Sequence, residues 1–161
     1  LKDYRIRHTA SGSTWTPWMQ RTCVHRAPVV IVLPYDAALD SFVLVSQFRI
    51  GALLGQKTPW LIEAVAGMID AGESPIDAAK RELIEETGLE AQQLDPLVDY
   101  WVSPGGSDEY AHVFLAKVDA SQLAQKAGCE QENEYITLQR YSRCILRSKK
   151  GQSITVQHSL P

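Results

Sequence analysis

An α/β (α+β) fold, a mixed β-sheet packed between helices, is the architecture this sequence predicts, and three observations carry it. Val29 to Leu33 and Phe42 to Phe48 are apolar, β-branched-rich runs bounded by turn formers, the pattern of buried strands. One capped, hydrophilic helix pattern from Pro75 to Thr87 then interrupts the strand-rich chain. Leu97 to Val102 and Tyr110 to Val118 resume the extended pattern. Strands on both sides of a strong helix suit a mixed sheet covered by helices.

In chain order, Tyr4, Ile6 and His8 alternate with charged neighbours as an early, partly exposed strand does, and Ser11 to Thr16 is turn-like. Pro34 and Asp36 end the Val29–Leu33 strand, and Asp36 to Asp40 turns the chain into the next one. Trp60 to Val65 is a short extended approach to a glycine loop. In the helix, Ser74 is the cap, Pro75 stands at the first position, Asp77 lies three residues beyond the cap, and Gly88 ends it. The loop Ser103-Pro-Gly-Gly-Ser-Asp-Glu109 joins the two later strands. By itself, a Pro-Gly-Gly turn is an ordinary tight connection.

The chain is 161 residues long, one domain's worth, and large enough to bury a single core without staples. Its net charge of -3 argues against a surface that coats nucleic acid. Cys23, Cys129 and Cys144 are odd in number, widely separated and without zinc spacing, so they read as buried or incidental thiols. No stretch approaches the ~18 apolar residues of a membrane span, and the start lacks a basic-then-apolar leader. A cytoplasmic, reducing location with no membrane partner is therefore the default expectation. The first residue is Leu1 rather than methionine, so missing elements are allowed for.

The chemistry concentrates in the helix. Glu82 and Glu86 are one turn apart and Glu85 stands beside them. Like charges at this spacing repel by a few tenths of a kcal/mol per pair (roughly), and a divalent cation removes that cost. A solvated acidic face, with Arg81 pairing Glu85 across a turn, is the bland alternative. The flanks favour the metal: Gly67 to Leu89, GMIDAGESPIDAAKRELIEETGL, holds a glycine, a glutamate six residues later, Arg81-Glu82, Glu85-Glu86 and Gly88.

This segment matches every specified position of the Nudix signature, and the chain resembles the Nudix hydrolases, which cleave a nucleoside diphosphate linked to another moiety. The resemblance implies a Nudix fold. It also implies that Glu82, Glu85 and Glu86 hold magnesium, or manganese, with two or three ions per site, that Glu73 assists, and that Arg81 orients the acidic cluster. Pro104, 16 residues beyond Gly88, resembles the placement in the ADP-ribose pyrophosphatase branch, as do QFRIGA around Arg49 and TPWLIEAVAG before the signature. In that branch the Ala66 carbonyl is a further metal ligand. Arg21 and Arg49 match arginines that serve the adenosine half, and a guanidinium can hold a diphosphate or lie over adenine. Glu109 resembles the glutamate that grips the terminal ribose, since a carboxylate accepts two sugar hydroxyls. In the acidic loop Glu130 to Tyr135, register against the branch puts Glu132 on the nucleophilic water and Glu134 near the metal.

The implied reaction is metal-dependent hydrolysis of ADP-ribose to AMP and ribose 5-phosphate. GDP-mannose or another nucleoside diphosphate sugar is the alternative substrate, and a catalytically silent nucleotide-sensing module is the alternative of another class. The resemblance covers roughly Tyr4 to Leu138. Gln139 to Pro161 departs from it, with no acidic residue and weak periodicity, although Arg143 to Lys150 could form a short helix. Residues 1–161 are thus expected to be one Nudix domain lacking part of the family's amino-terminal dimerisation sheet and its closing carboxy-terminal helix. A homodimer is nonetheless expected, because the branch shares pocket walls between subunits. Trp15, Trp18 and Trp60 either serve that interface or pack within their own subunit.

Overall fold

The computed structural model describes residues 1–9, 12–121 and 123, together with the strand backbone of 126–127 and 136–142. Glu132, Glu134 and the segment Arg143 to Lys150 lie outside the described residues.

Among the described residues the elements are β1 Lys2–Ile6, β2 Met19–Cys23, β3 Val29–Asp36, β4 Ser41–Phe48, α1 Ile50–Leu54, β5 Trp60–Glu63, β6 Val65–Met68, α2 Pro75–Thr87, β7 Gln93–Trp101, β8 Tyr110–Lys117, β9 Lys126–Ala127 and β10 Ile136–Ser142. β1 and β2 pair antiparallel as a separate two-stranded sheet. The main sheet runs β7-β8-β3-β4-β10-β9, with β5 on β4 and β6 on β3. β3 and β8 pair in parallel while the other described strand pairs of this sheet are antiparallel, so the sheet is mixed, and helices flank it as expected.

The valine runs form strands because every second side chain enters one core. Along β3, Val30 and Val32 are fully buried while Val29 and Ile31 are partly covered; along β4, Val43 and Val45 play the buried part. Ala78, Ala79 and Leu83 of α2 close over them, joined by Val65, Phe114 and Ala116. The β-branched runs are therefore more one-sided than a doubly covered strand. Small Ala78 and Ala79 let the helix lie close to the sheet.

Several differences from the sequence reading have local causes. The Trp60–Val65 stretch is two strands: β5 pairs Val45 to Phe48, then β6 pairs Val29 to Val32. β3 and β4 are paired only at Tyr35–Phe42 and Asp36–Ser41. They part beyond this turn, and the β5–β6 segment uses the edges they expose. β7 begins four residues before Leu97, running through Pro96, where the ladder slips; a strand at the end of the sheet order tolerates the missing N–H of proline. The five-residue α1 has too little length to show a period, and Arg49 at its start provides no side-chain cap. β10 carries the chain past Leu138 to Ser142, pairing β4.

Candidate active site

The start of α2 is built as its sequence dictates. Ser74 Oγ accepts from the Asp77 N–H at 3.2 Å and donates to the Asp77 carboxylate at 2.6 Å. Gly88, with φ 71°, ends the helix and donates its N–H to the Ile84 carbonyl at 2.8 Å; the left-handed conformation there suits glycine. The helix thus presents Arg81, Glu82, Glu85 and Glu86 at the mouth of the β6 loop.

Arg81 is the hub. Its Nε and Nη2 donate to the two oxygens of Glu73 at 3.0 and 2.9 Å, Nη1 donates to Glu82 at 2.7 Å and to Glu85 at 3.2 Å, and Nη2 also donates to the Met68 carbonyl at 3.0 Å. One guanidinium therefore ties the strand end, the loop glutamate and two helix glutamates, which a planar five-donor fork can do and an ammonium cannot. The pairing of Arg81 with Glu85 read as the bland alternative exists, as one arm of this network. Glu73 in turn accepts from the Asp70 N–H at 3.0 Å.

Glu82 lies across Gly67. A β-carbon at Gly67 would stand 1.9 Å from Glu82 Cδ, so only glycine leaves room for the carboxylate against β6. Burial pushes the Glu82 carboxyl above its ordinary range, opposed by Arg81 and reinforced by Glu85 and Glu73. The Arg81 hydrogen bonds hold Glu73 below the carboxylate range instead. Glu86 is buried on the same helix, whereas Glu85 is exposed. Glu82, Glu85 and Glu86 thus occupy neighbouring positions of α2, but among the described residues they do not form a group whose ligand atoms all lie within 4.8 Å of one another. Ala66 lies in β6 beside Gly67, opposite Ile31.

The other expected ligand residues stand on other elements of the fold. Arg49, at the end of β4, bonds through Nε to Glu63 at 2.8 Å, a partner at the end of β5 that spacing alone does not reveal. Arg21 stands on β2 in the two-stranded sheet and donates to its neighbour Gln20's carbonyl. Pro104 is exposed in the β7–β8 loop. Glu109, at the end of that loop, pairs with Arg26 at 2.7 Å. The loop does more than connect: Val24 donates to the Gly106 carbonyl at 2.8 Å, Asp108 donates its N–H to the Val24 carbonyl at 3.2 Å, and the Asp108 carboxylate accepts from the Arg26 N–H at 2.9 Å. The last contact lowers the Asp108 carboxyl below its usual range, helped by His25.

A second cluster escaped the sequence reading. Cys23, His25 and Asp108 each bring one ligand-type atom within 4.8 Å of the others, a group that could hold a metal ion. Cys23 itself is a free, partly buried thiol. The Cys-x-His alternation was the available signal, but its third member comes from 83 residues beyond His25.

The family model described as NUDIX domain matches residues 25–156. The chain belongs to the Nudix family. ADP-ribose pyrophosphatase of Escherichia coli (strain K12) is 39% identical to this Nudix chain over 143 residues, covering 89% of it and 68% of that protein. The protein of the same name from Haemophilus influenzae (strain ATCC 51907 / DSM 11121 / KW20 / Rd) is 36% identical over 139 residues, covering 84% and 64%. GDP-mannose pyrophosphatase of Escherichia coli O1:K1 / APEC is 31% identical over 135 residues, covering 83% and 70%. The crystal structure of an ADP compounds hydrolase shares the fold, with a TM-score of 0.62 at 20% identity over 88% of this chain and 76% of that one. Among the described residues, no helix is long and apolar enough to cross a membrane.

Proposed function

We propose that this Nudix chain is a metal-dependent pyrophosphohydrolase that cleaves ADP-ribose to AMP and ribose 5-phosphate. The observation that carries the reading is the Arg81-centred cluster of Glu73, Glu82 and Glu85, with Glu82 seated on Gly67. The 39% identity to an ADP-ribose pyrophosphatase supports the substrate.

Glu82, Glu85 and Glu86, with the Ala66 carbonyl and Glu134, would hold magnesium or manganese, two or three ions per site. Such ions, when bound, supply Lewis acidity toward the non-bridging phosphate oxygens and toward water. Arg81 keeps the carboxylates in place and neutralises part of their mutual repulsion. Glu132 takes the proton of the attacking water. A P–O bond forms to that water as the bridging P–O bond on the adenosyl side breaks, and the ribose phosphate leaves as a phosphate. Arg21 and Arg49 serve the adenosine diphosphate half. For Arg49 this means exchanging, or sharing, its Glu63 partner with ligand. Pro104 shapes the loop that carries Glu109, which accepts the terminal ribose hydroxyls.

The same reading includes a homodimer. Trp15, Trp18 and Trp60 are all more than half exposed, Arg7 lies over both Trp15 and Trp18, and Trp60 meets the ring of the half-exposed Phe48 edge-on. Large amphipathic rings of this kind are enriched at interfaces. Light scattering decides it, and a fully active monomer would rule out shared pocket walls.

A panel of ADP-ribose, GDP-mannose, ADP-glucose, NADH, diadenosine polyphosphates and 8-oxo-dGTP, assayed with magnesium, tests the substrate. Preference for ADP-ribose is expected. Preference for GDP-mannose would move the chain to the sugar-nucleotide alternative, for which the 31% identical relative speaks. Binding of ADP-ribose in calcium without AMP release in magnesium would make it a silent sensor.

A further inference from the structure

The end of β2 carries a set of ligand-type side chains that the hydrolytic reading does not use. Cys23 and His25 are two residues apart on extended chain and so share a side. The parallel bridge between Val24 and Ser107 lays the β7–β8 loop along this stretch and delivers Asp108 to it. One ligand atom from each of the three falls within 4.8 Å of the others. The His25 ring is held at both nitrogens: Nδ1 is 2.5 Å from Asp108 Oδ2, and Nε2 is 2.7 Å from the Tyr4 hydroxyl.

We propose that Cys23, His25 and Asp108 bind a zinc-class divalent cation, at a site separate from the α2 carboxylates and independent of the substrate assigned above. The donor set is the first argument. A thiolate with an imidazole favours zinc over magnesium, whereas the α2 carboxylates favour the reverse. Charge is the second: one thiolate and one carboxylate neutralise a divalent ion. The third is the Tyr4 hydroxyl, because a ligating histidine is normally oriented through its other nitrogen.

The metal-free arrangement is the proton-bridged form of this site. When the ion enters, the Cys23 thiol proton goes to solvent. The ring proton moves from Nδ1 to Nε2, which then donates to Tyr4 Oη while Nδ1 becomes the ligand. The ion takes the imidazole in its neutral form and the thiol as thiolate, so binding releases protons. The Nδ1–Oδ2 pair opens from 2.5 Å to about 3.3 Å, the edge of a tetrahedron with zinc-to-ligand bonds near 2.0–2.1 Å. Three protein ligands leave a fourth position to water. The ion would fasten the loop bearing Pro104 and Glu109 to β2, with Tyr4 of β1 in its outer shell.

Cobalt(II) is the probe, added to the intact protein in excess magnesium so that hard-oxygen sites are saturated. One equivalent should bind with a thiolate-to-cobalt charge-transfer band and be displaced by one equivalent of zinc. Cys23→Ser should abolish the band, and His25→Ala and Asp108→Asn should each weaken binding at least tenfold. The double variant Cys129→Ser/Cys144→Ser should keep the band. Circular dichroism of each variant separates loss of a ligand from loss of the fold. Absence of the band in the parent protein, or its survival in Cys23→Ser, overturns the proposal.

Discussion

The Glu82 carboxylate rests where a side chain on Gly67 would be, 1.9 Å from the position of a β-carbon there. Gly67 faces Val30 across the β3–β6 ladder. The sheet therefore forms the floor of the glutamate cluster, and the helix supplies its wall.

Gly67→Ala should push aside the Glu82 carboxylate, the far end of a flexible side chain, and leave the backbone of β6 and α2 in place. Because that side chain can swing aside, the stability loss should be no more than about 1 kcal/mol, the low end for overpacking, with turnover reduced on the order of 100-fold by misplacement of the carboxylate. Urea titration and a magnesium-dependence curve measure the two effects. Undiminished turnover would show that the seat of Glu82 is not needed for activity.

Charge removal at Glu82, Glu85 or Glu86 should separate activity from folding. Glutamine at Glu86 keeps the shape but removes a ligand charge, so turnover should fall by roughly 100-fold or more with the metal-free melting temperature little changed. In the parent protein, metal at 100 times its Kd should stabilise by about 2.7 kcal/mol, and chelation should reverse this. A magnesium-induced melting shift that persists undiminished in Glu86→Gln would place the ions elsewhere.

Arg81→Lys retains the charge but loses the fork. The four acceptors now joined through one guanidinium, Glu73, Glu82, Glu85 and the Met68 carbonyl, cannot all be reached by one ammonium. Loss of charged hydrogen bonds should cost about 1–3 kcal/mol, and turnover should drop even at saturating magnesium. Hydrogen exchange at the β6–α2 loop should accelerate. Parent-like exchange would mean that Arg81 does not organise the loop.

Acid titration should separate Glu82 from Glu73. The folded-state carboxyl of Glu82 is raised above 4.5 by burial, so just above that pH the folded protein holds a proton the unfolded chain has released. Stability from this group falls as pH rises through that window. Glu73 is lowered from 4.5 by Arg81; its contribution is present above that value and is lost as pH falls through the folded pKa. In chelator, Glu82→Gln should therefore gain stability relative to the parent toward neutral pH, whereas Glu73→Gln should lose it there and converge with the parent in acid. Urea midpoints across pH provide the comparison, and parallel curves for both variants would refute the assignment of these shifts.

The sequence by itself determined the elements whose causes are local. Ser74, Pro75 and Gly88 delimit α2 because capping and left-handed termination act within one turn, and the spacing of Glu82, Glu85 and Glu86 places them on neighbouring helical positions. The continuous β-branched runs of β3 and β4 likewise mark strands before any partner is known, whereas which alternate residues are buried was settled by the fold. Tertiary structure decided what depends on register between distant strands: the division of Trp60 to Met68 between two partners, the pairing of Arg49 with Glu63, the seat of Glu82 on Gly67, and the meeting of His25 with Asp108 across 83 residues. A side chain's periodicity reports which face it occupies, but only the folded ladder chooses which residue from another segment arrives beside it.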